Sequence, residues 1–352
     1  MTMAFQLRVR AGVRASTVVL LTALALTLGA QEVPFHTQSR VVLVPVTVTN
    51  DRGGFIDGLQ RGDFELLDNG VPQPISAMDT AGTGVAPISL VIAIQSAGVC
   101  APALAKIRRV GSMIVPLVAG EGGAVAVLTF DSLIHVLQDF TSDPAQVDAA
   151  FQAAKAEGDT DAHLLDAALL SIRMLRARRN TRRVLLLVSE SRDRGSKTKL
   201  DEVVRAAAES DVTIYAASYS VYATTFVSKA KDVPPAGDPD FLRVFTEVAR
   251  LGKTKTVQAL AEATGGTTAS FTRKAGLEKI VEELGSELHT QYVLSFVPAD
   301  LSPGYHRLEV RLRNDAAYRV RARPGYQMAV MPDSPAGAFP AAPDELSHPR
   351  PE

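Results

Sequence analysis

The feature that most constrains the fold is a nearly uninterrupted apolar run over residues 88–94, which reads ISLVIAI. Such a run is typical of a strand that is buried on both faces, as in a parallel sheet covered by helices. A short loop with a glycine, residues 95–100, follows the run, and helical spacing begins immediately after it. In open α/β sheets, ligands meet the loops at the carboxyl ends of the strands, so this loop is the first place to expect binding.

The chain continues with the alternation of strands and helices that a doubly wound sheet requires. Apolar runs at 124–130, 182–188 and 212–217 predict further buried strands, and 133–137 is expected to pair with the first of them. Residues 165–175 place apolar side chains at helical spacing. The pattern predicts an α/β domain with a doubly wound, mostly parallel sheet.

Both flanks of this region have the period of two that half-buried antiparallel strands show. Apolar and other residues alternate over 42–49, and again over 307–313 and 318–323. The dipeptide Asn69-Gly70 predicts a tight hairpin turn, because both residues accept positive φ at low cost. Neither flank has enough strands for an independent sheet. We therefore expect the flanks to pair into one small antiparallel β domain into which the α/β domain is inserted.

The predicted domain organisation begins with a signal peptide. Arginines at 8, 10 and 14 precede an apolar stretch over 17–28 and small residues that suit cleavage, although an uncleaved anchor remains an alternative. The predicted parts are the signal peptide (1–30), an N-terminal β segment (31–83), the α/β domain (84–290), a C-terminal β segment (291–328) and a disordered tail (329–352). The protein is expected to be secreted, periplasmic or at the cell surface, with no transmembrane span in the mature chain.

Composition and motifs exclude several classes of function. The net charge of −1 argues against a general nucleic-acid binder. There is a single cysteine, Cys100, so no internal disulfide can form. The chain has no Gly-x-Ser-x-Gly motif, and its 6 histidines are scattered without metal-ligand spacing, so we predict that it is not an enzyme. A hydrolase remains an alternative if Ser96 or Ser191 lies beside a histidine.

Several segments in a fixed order resemble those of exported bacterial proteins, known chiefly from acidobacteria, that carry a von Willebrand factor type A (VWA) domain. The segments are VPVTVTNDRGGFIDGLQRGDFELLDNGVPQPI, PISLVIAI, RRVLLLVSE, LAEATGGTTASF, QYVLSFVP, YHRLEVRLR and YRVRARPGY. As an ordered series of segments, the resemblance extends over about residues 40–326. The resemblance implies a VWA or Rossmann-like α/β fold and a role in protein–protein interaction.

The resemblance also implies where a metal would bind. Members of that fold commonly hold a divalent cation in a metal-ion-dependent adhesion site, whose first loop reads Asp-x-Ser-x-Ser and which adds a Thr and an Asp from two further loops. Mg²⁺ prefers an octahedral set of oxygen ligands with at least one carboxylate. The corresponding positions here, with Ser96 between the first two, are Gln95, Ala97, Val99, Thr160 and Glu190. Loss of one carboxylate and two hydroxyls predicts a degenerate site with no bound metal and no other cofactor.

Two interpretations of this edge of the sheet stay open. In the first, the loops bind an unknown envelope or extracellular protein without a cation, and the chain is a binding or scaffold protein. In the second, a cation-dependent adhesion module holds Mg²⁺ through displaced ligands. The candidate displaced ligands are Ser96, Asp131, Asp159, Thr160, Asp161 and Glu190. The sequence does not identify the partner or the oligomeric state.

Arginines also recur along the C-terminal flank. They stand at every second position of the two predicted strands, at 311, 313, 319, 321 and 323. This spacing predicts a stripe on the β domain, with a solvated surface as the simplest interpretation and an acidic glycan or an acidic partner surface as the alternative.

Overall fold

The computed structural model of the chain describes residues 41–80, 86–97, 101–156, 161–179, 181–219, 255–271, 276–313 and 317–328. The predicted signal peptide and the predicted tail lie outside these ranges, as do Val99, Cys100, Asp159 and Thr160. Within them, no helix is both long enough and apolar enough to cross a bilayer.

The order of elements follows the predicted alternation. The described strands are β1 (Val42–Thr49), β2 (Phe64–Asp68), β3 (Val71–Gln73), β4 (Ala77–Asp79), β5 (Ile88–Gln95), β6 (Ala124–Phe130), β7 (Ile134–Thr141), β8 (Arg182–Ser189), β9 (Val212–Tyr219), β10 (Thr268–Phe271), β11 (Tyr292–Phe296), β12 (Gly304–Leu312), β13 (Arg319–Ala322) and β14 (Gly325–Met328). The described α-helices are α1 (Ala101–Ile114), α2 (Pro144–Ala153), α3 (Leu164–Arg176), α4 (Leu200–Glu209), α5 (Thr256–Thr264) and α6 (Leu277–Thr290).

The larger sheet has the strand order β10-β9-β8-β5-β6-β7. Only β7 runs antiparallel to its neighbour. Every residue of β5 is buried, because alternate side chains of a strand enter opposite faces and helices cover both faces here. Leu90 and Ile92 pack in the core with α1, α2 and α6, whereas Val91 and Ala93 pack with α3, α4 and α5.

Two antiparallel sheets form a β sandwich around a separate core. Their strand orders are β13-β1-β11-β4 and β14-β12-β2-β3. The strand before the α/β region, β1, pairs directly with the strand after it, β11, and Val44 lies opposite Leu294. The rings of Phe64 and Tyr292 join the two sheets with centroids 5.2 Å apart. The predicted fold class, a mostly parallel α/β sheet inserted in a small antiparallel β domain, is confirmed.

A buried polar network fastens the α/β region to the sandwich. The Glu287 carboxylate on α6 accepts a hydrogen bond from the Tyr215 hydroxyl at 2.6 Å and pairs with Arg321 of β13 at 2.7 Å. The Gln291 amide donates to the Tyr215 hydroxyl at 3.0 Å and to Thr47 Oγ1 of β1 at 3.1 Å. Burial, assisted by the nearby charge of Glu287, raises the pKa of Tyr215. These contacts hold the two parts of the fold in one orientation.

The predicted arginine stripe is wrong for two of its members. Arg321 pairs with Glu287 and donates to the Gly265 carbonyl, and Arg323 is only 8% exposed and pairs with Asp211 at 2.5 Å. Arg311 and Arg319 remain exposed. Strand spacing places alternate arginines of one strand on one face, but β12 and β13 belong to different sheets, and part of the β13 face covers the α/β region instead of solvent.

Candidate functional site at the carboxyl edge of the sheet

Gln95 ends β5 at the edge where a VWA cation site would begin. Its side chain is 0% exposed, and its Oε1 accepts a hydrogen bond from the backbone N–H of Glu190 at 3.0 Å. Its Nε2 is buried and has no hydrogen-bond partner among the described residues. The amide therefore ties the first loop to the third loop from inside the protein.

The side chains at the next two positions of the first loop are also unavailable to a ligand, because one is hydrogen-bonded within the protein and the other is buried. The backbone N–H of Ser96 donates to the Phe130 carbonyl at 2.8 Å, and the Ser96 hydroxyl donates to Asp131 Oδ2 at 3.0 Å. The other oxygen of Asp131 accepts the N–H of Leu133 at 2.7 Å. Ala97 is fully buried and contributes only a methyl group. Ser96 and Asp131 are thus brought together, but they bind each other and the turn after β6.

Glu190 follows β8 and pairs with a cation supplied by the protein itself. Its carboxylate lies 3.2 Å from Arg194 Nη2, and both side chains are partly exposed. Arg194 is held in place by its backbone, which exchanges two 2.9 Å hydrogen bonds with Ala162 in the second loop. The guanidinium therefore provides the positive charge beside Glu190 that a metal would otherwise provide.

The third loop also caps α3. Asp193 Oδ1 accepts the N–H of Leu165 at 3.1 Å and the hydroxyl of Ser196 at 2.6 Å. Ser196 Oγ in turn accepts the N–H groups of Leu165 and Asp166 at 3.1 and 3.2 Å. These contacts satisfy N–H groups that the first turn of a helix leaves unpaired. Asp193 is therefore used as a cap.

Asp166 completes this cap from the helix side. Its carboxylate accepts the N–H groups of Lys197 at 3.1 Å and Thr198 at 2.9 Å, and His163 lies 3.8 Å away. Burial opposes ionisation of Asp166, but the hydrogen bonds from Thr198 and Lys197, together with the charge of His163, outweigh it and lower the pKa. The carboxylates in the described part of this edge are thus engaged locally.

The described residues do not fit a hard divalent cation. Across the described ranges, no group of three or more His, Cys, Asp or Glu side chains is placed to hold a metal. Of the displaced ligands, Asp131 and Glu190 have the partners given above, and Asp161 has a partner as well. Asp159 and Thr160 lie outside the described residues. To bind these carboxylates, Mg²⁺ would have to displace the contacts that they already make.

The geometry gives no support to a serine nucleophile. The Ser96 hydroxyl donates to Asp131, and in the described part of the chain neither Ser96 nor Ser191 is hydrogen-bonded to a histidine. A nucleophile needs a base within hydrogen-bond reach, and that arrangement is missing among these residues.

Sequence reasoning did not find Arg194 or Ser196, and it treated Asp193 as a possible displaced metal ligand and not as a helix cap. A weak signal existed, because Glu190 and Arg194 are four positions apart, the spacing of an ion pair on a helix. The residues lie in a loop, however, and contacts with Gln95 and Ala162, which are distant in sequence, fix their positions.

The sheet order with a single antiparallel edge strand, and helices on both faces, defines a doubly wound α/β fold. No family model matches the sequence, and no curated protein matches it. Similar solved structures include the conserved hypothetical protein BatB from Bacteroides thetaiotaomicron, at 14% identity over 57% of this chain and 97% of that chain, with a TM-score of 0.41. A von Willebrand factor type A structure from Catenulispora acidiphila matches at 11% identity over 77% and 74% of the two chains, with a TM-score of 0.45. The vWF domain of the type V pili tip protein Mfa5 from Porphyromonas gingivalis matches at 19% identity over 31% and 39%, with a TM-score of 0.28.

Proposed function

We propose that this protein is an exported, non-enzymatic binding module that contacts a protein partner through the carboxyl edge of its α/β sheet without a bound metal. One observation carries the proposal: the Gln95 side chain is fully buried, and its carbonyl oxygen is occupied by the N–H of Glu190. The position that would supply the first metal carboxylate in a VWA cation site is used here as an internal tie.

The energetics of cation binding favour the same proposal. Mg²⁺ gives up its hydration water reluctantly and needs compensation from charged oxygens. Gln95 offers a neutral oxygen that is already bonded, and Ala97 offers none. The Glu190 carboxylate is already neutralised by Arg194, so a divalent ion at this edge would face a neighbouring positive charge.

A partner can be recognised here through charged side chains that are partly exposed. The Glu190–Arg194 pair is partly exposed at the edge, so it can select a partner by charge and orientation. Exposed ion pairs influence the association rate and specificity more than the final affinity. The step from a VWA-type fold to protein binding is an analogy, because a fold alone does not define a function.

Capture from envelope extracts of the native organism tests the proposal. The immobilised chain is expected to retain the same partner with and without EDTA, and Arg194→Gln is expected to reduce retention by about tenfold through loss of an interfacial charge. Arg311→Gln is the matched control, because Arg311 is an exposed arginine in an ion pair on the sandwich. We expect Arg311→Gln to leave capture unchanged.

The alternative, a cation-dependent adhesion module with displaced ligands, gives the opposite result with the chelator. Loss of the partner in EDTA and its recovery with added Mg²⁺ would contradict metal-free binding. Equal retention by Arg194→Gln and the unaltered chain would place the contact surface elsewhere on the protein.

A further inference from the structure

A cavity of about 220 Å³ lies at the opposite end of the sheet from the candidate site. The amino-terminal ends of β8 and β9 form one side of it, and β1 and β11 of the sandwich form the other. Its sandwich wall is apolar, with Val41, Leu43, Pro45 and Val293. The charged side chains that line it are Arg182, Arg183, Asp211 and Arg323, so cations outnumber anions.

Arg323 lines this cavity and has hydrogen-bond donors that no described residue satisfies. Its side chain is more than nine-tenths buried, and its Nη1 donates to Asp211 Oδ1. Its Nε and Nη2 are also buried but have no hydrogen-bond partner among the described residues. Thr181 Oγ1, in the same lining, is likewise buried and unpartnered. Buried donors are nearly always paired in folded proteins, so these atoms indicate a missing acceptor.

The two free nitrogens of Arg323 define the shape of that acceptor. Nε–H and one N–H of Nη2 point from the same edge of the planar guanidinium, and this edge matches the two oxygens of a carboxylate. The Thr181 hydroxyl can add a further hydrogen bond.

The other two arginines contribute charge but few free donors. Arg182 donates to the Leu288 carbonyl at 2.8 Å and to the Gln291 side chain. Arg183 donates to the carbonyls of Ser210 and Arg178 at 2.8 and 2.9 Å. Their positive field favours an anion in the cavity, while Asp211 limits how much negative charge the cavity accepts.

We propose that this cavity binds a small monocarboxylate with an apolar tail. The carboxylate lies on the Nε–Nη2 edge of Arg323, and the tail packs against Val41, Leu43 and Val293. Sites for drug-sized ligands usually exceed about 300 Å³, so the occupant is a smaller molecule. The apolar wall and the single free guanidinium edge favour a carboxylate over inorganic phosphate, which is more strongly charged and hydrated.

Ligand-observed NMR titrations of the purified chain with butyrate, acetate, inorganic phosphate and butylammonium test this proposal. Butyrate is expected to bind in a saturable manner. Acetate should bind about tenfold more weakly, because it has two fewer methylene groups to bury. Phosphate should bind more weakly than butyrate, and butylammonium should not bind.

Substitutions locate the binding. Arg323→Lys keeps the charge but lacks the planar fork, so butyrate affinity should fall at least about tenfold. Thr181→Val should reduce it severalfold. Arg319→Lys is the matched control, because Arg319 is an exposed arginine on the adjoining strand, and it should change nothing.

Two further substitutions keep the proposal testable if Arg323→Lys fails to fold by circular dichroism. In that case Thr181→Val and Leu43→Asp test whether butyrate binds in this cavity. Leu43→Asp places a carboxylate at the partly exposed apolar wall and should repel butyrate. Absence of butyrate binding would mean that only water satisfies Arg323, and would overturn the proposal. Tighter binding of phosphate, or unchanged butyrate affinity in the folded variants, would do the same.

Discussion

Replacing Glu287 with alanine is expected to lower the free energy of unfolding by about 3–5 kcal/mol. The Glu287 carboxylate accepts the Tyr215 hydroxyl at 2.6 Å and pairs with Arg321 at 2.7 Å at the junction between the α/β region and the sandwich. Removal of the carboxylate leaves a buried hydroxyl without this acceptor and a half-buried guanidinium without its counter-charge. Urea denaturation followed by circular dichroism measures the loss.

Another glutamate on the same helix provides the matched control. Glu283 is 59% exposed and pairs with Lys279 at 3.5 Å, so Glu283→Ala should change the free energy of unfolding by less than about 0.5 kcal/mol. Glu287→Gln retains a hydrogen-bond acceptor but not the charge, so its free energy of unfolding should lie between those of Glu287→Ala and Glu283→Ala. A Glu287→Ala variant within about 1 kcal/mol of the unaltered chain would show that the network contributes little to stability.

Replacing Asp68 with alanine is expected to lower the free energy of unfolding by about 3 kcal/mol, because it removes the acceptor of a buried hydrogen-bond cluster inside the sandwich. The Tyr326 hydroxyl donates to Asp68 Oδ2 at 2.8 Å, and the His306 ring lies 3.2 Å from Oδ1. All three side chains are buried. Burial, with the adjacent Asp68 carboxylate, raises the pKa of Tyr326, as expected for a phenol held next to an anion. Thermal unfolding measures the effect.

Glu309→Ala is the comparison for this second variant. Glu309 is a partly exposed carboxylate on β12 that pairs with Arg311, and its loss should cost at most about 1 kcal/mol. Equal shifts in the unfolding temperature for Asp68→Ala and Glu309→Ala would contradict the role assigned to the buried cluster.

The order of strands and helices could be predicted because the burial of each strand determines its pattern of apolar residues. The apolar run at 88–94 predicted β5, since a strand covered on both faces has no solvent-facing positions to fill with polar residues. Asn69-Gly70 predicted the β2–β3 turn, where both residues adopt positive φ, 50° and 81°. The pairing of β1 with β11 followed from the shortage of strands in each flank.

The polar networks could not be predicted, because they depend on how distant segments pack together. Thr47, Tyr215 and Gln291 meet in one cluster although they are far apart in sequence. The alternation of Arg319, Arg321 and Arg323 predicted a solvated face, but Arg321 and Arg323 pair with residues of the α/β region instead. For the candidate site, the resemblance to VWA proteins implied that Gln95 stands where they have a carboxylate. The bond from Glu190 to its amide depends on the packing of two loops.

Titration calorimetry with Mg²⁺ tests the central claim most directly, with the unaltered chain compared against a Gln95→Asp, Ala97→Ser, Val99→Ser variant that restores the first loop of a VWA cation site. We expect no saturable heat from the unaltered chain at Mg²⁺ concentrations up to about 1 mM, because the first loop supplies no free charged oxygen. The restored variant should bind Mg²⁺. Saturable Mg²⁺ binding by the unaltered chain that disappears on Glu190→Ala would contradict the claim that this edge works without a metal.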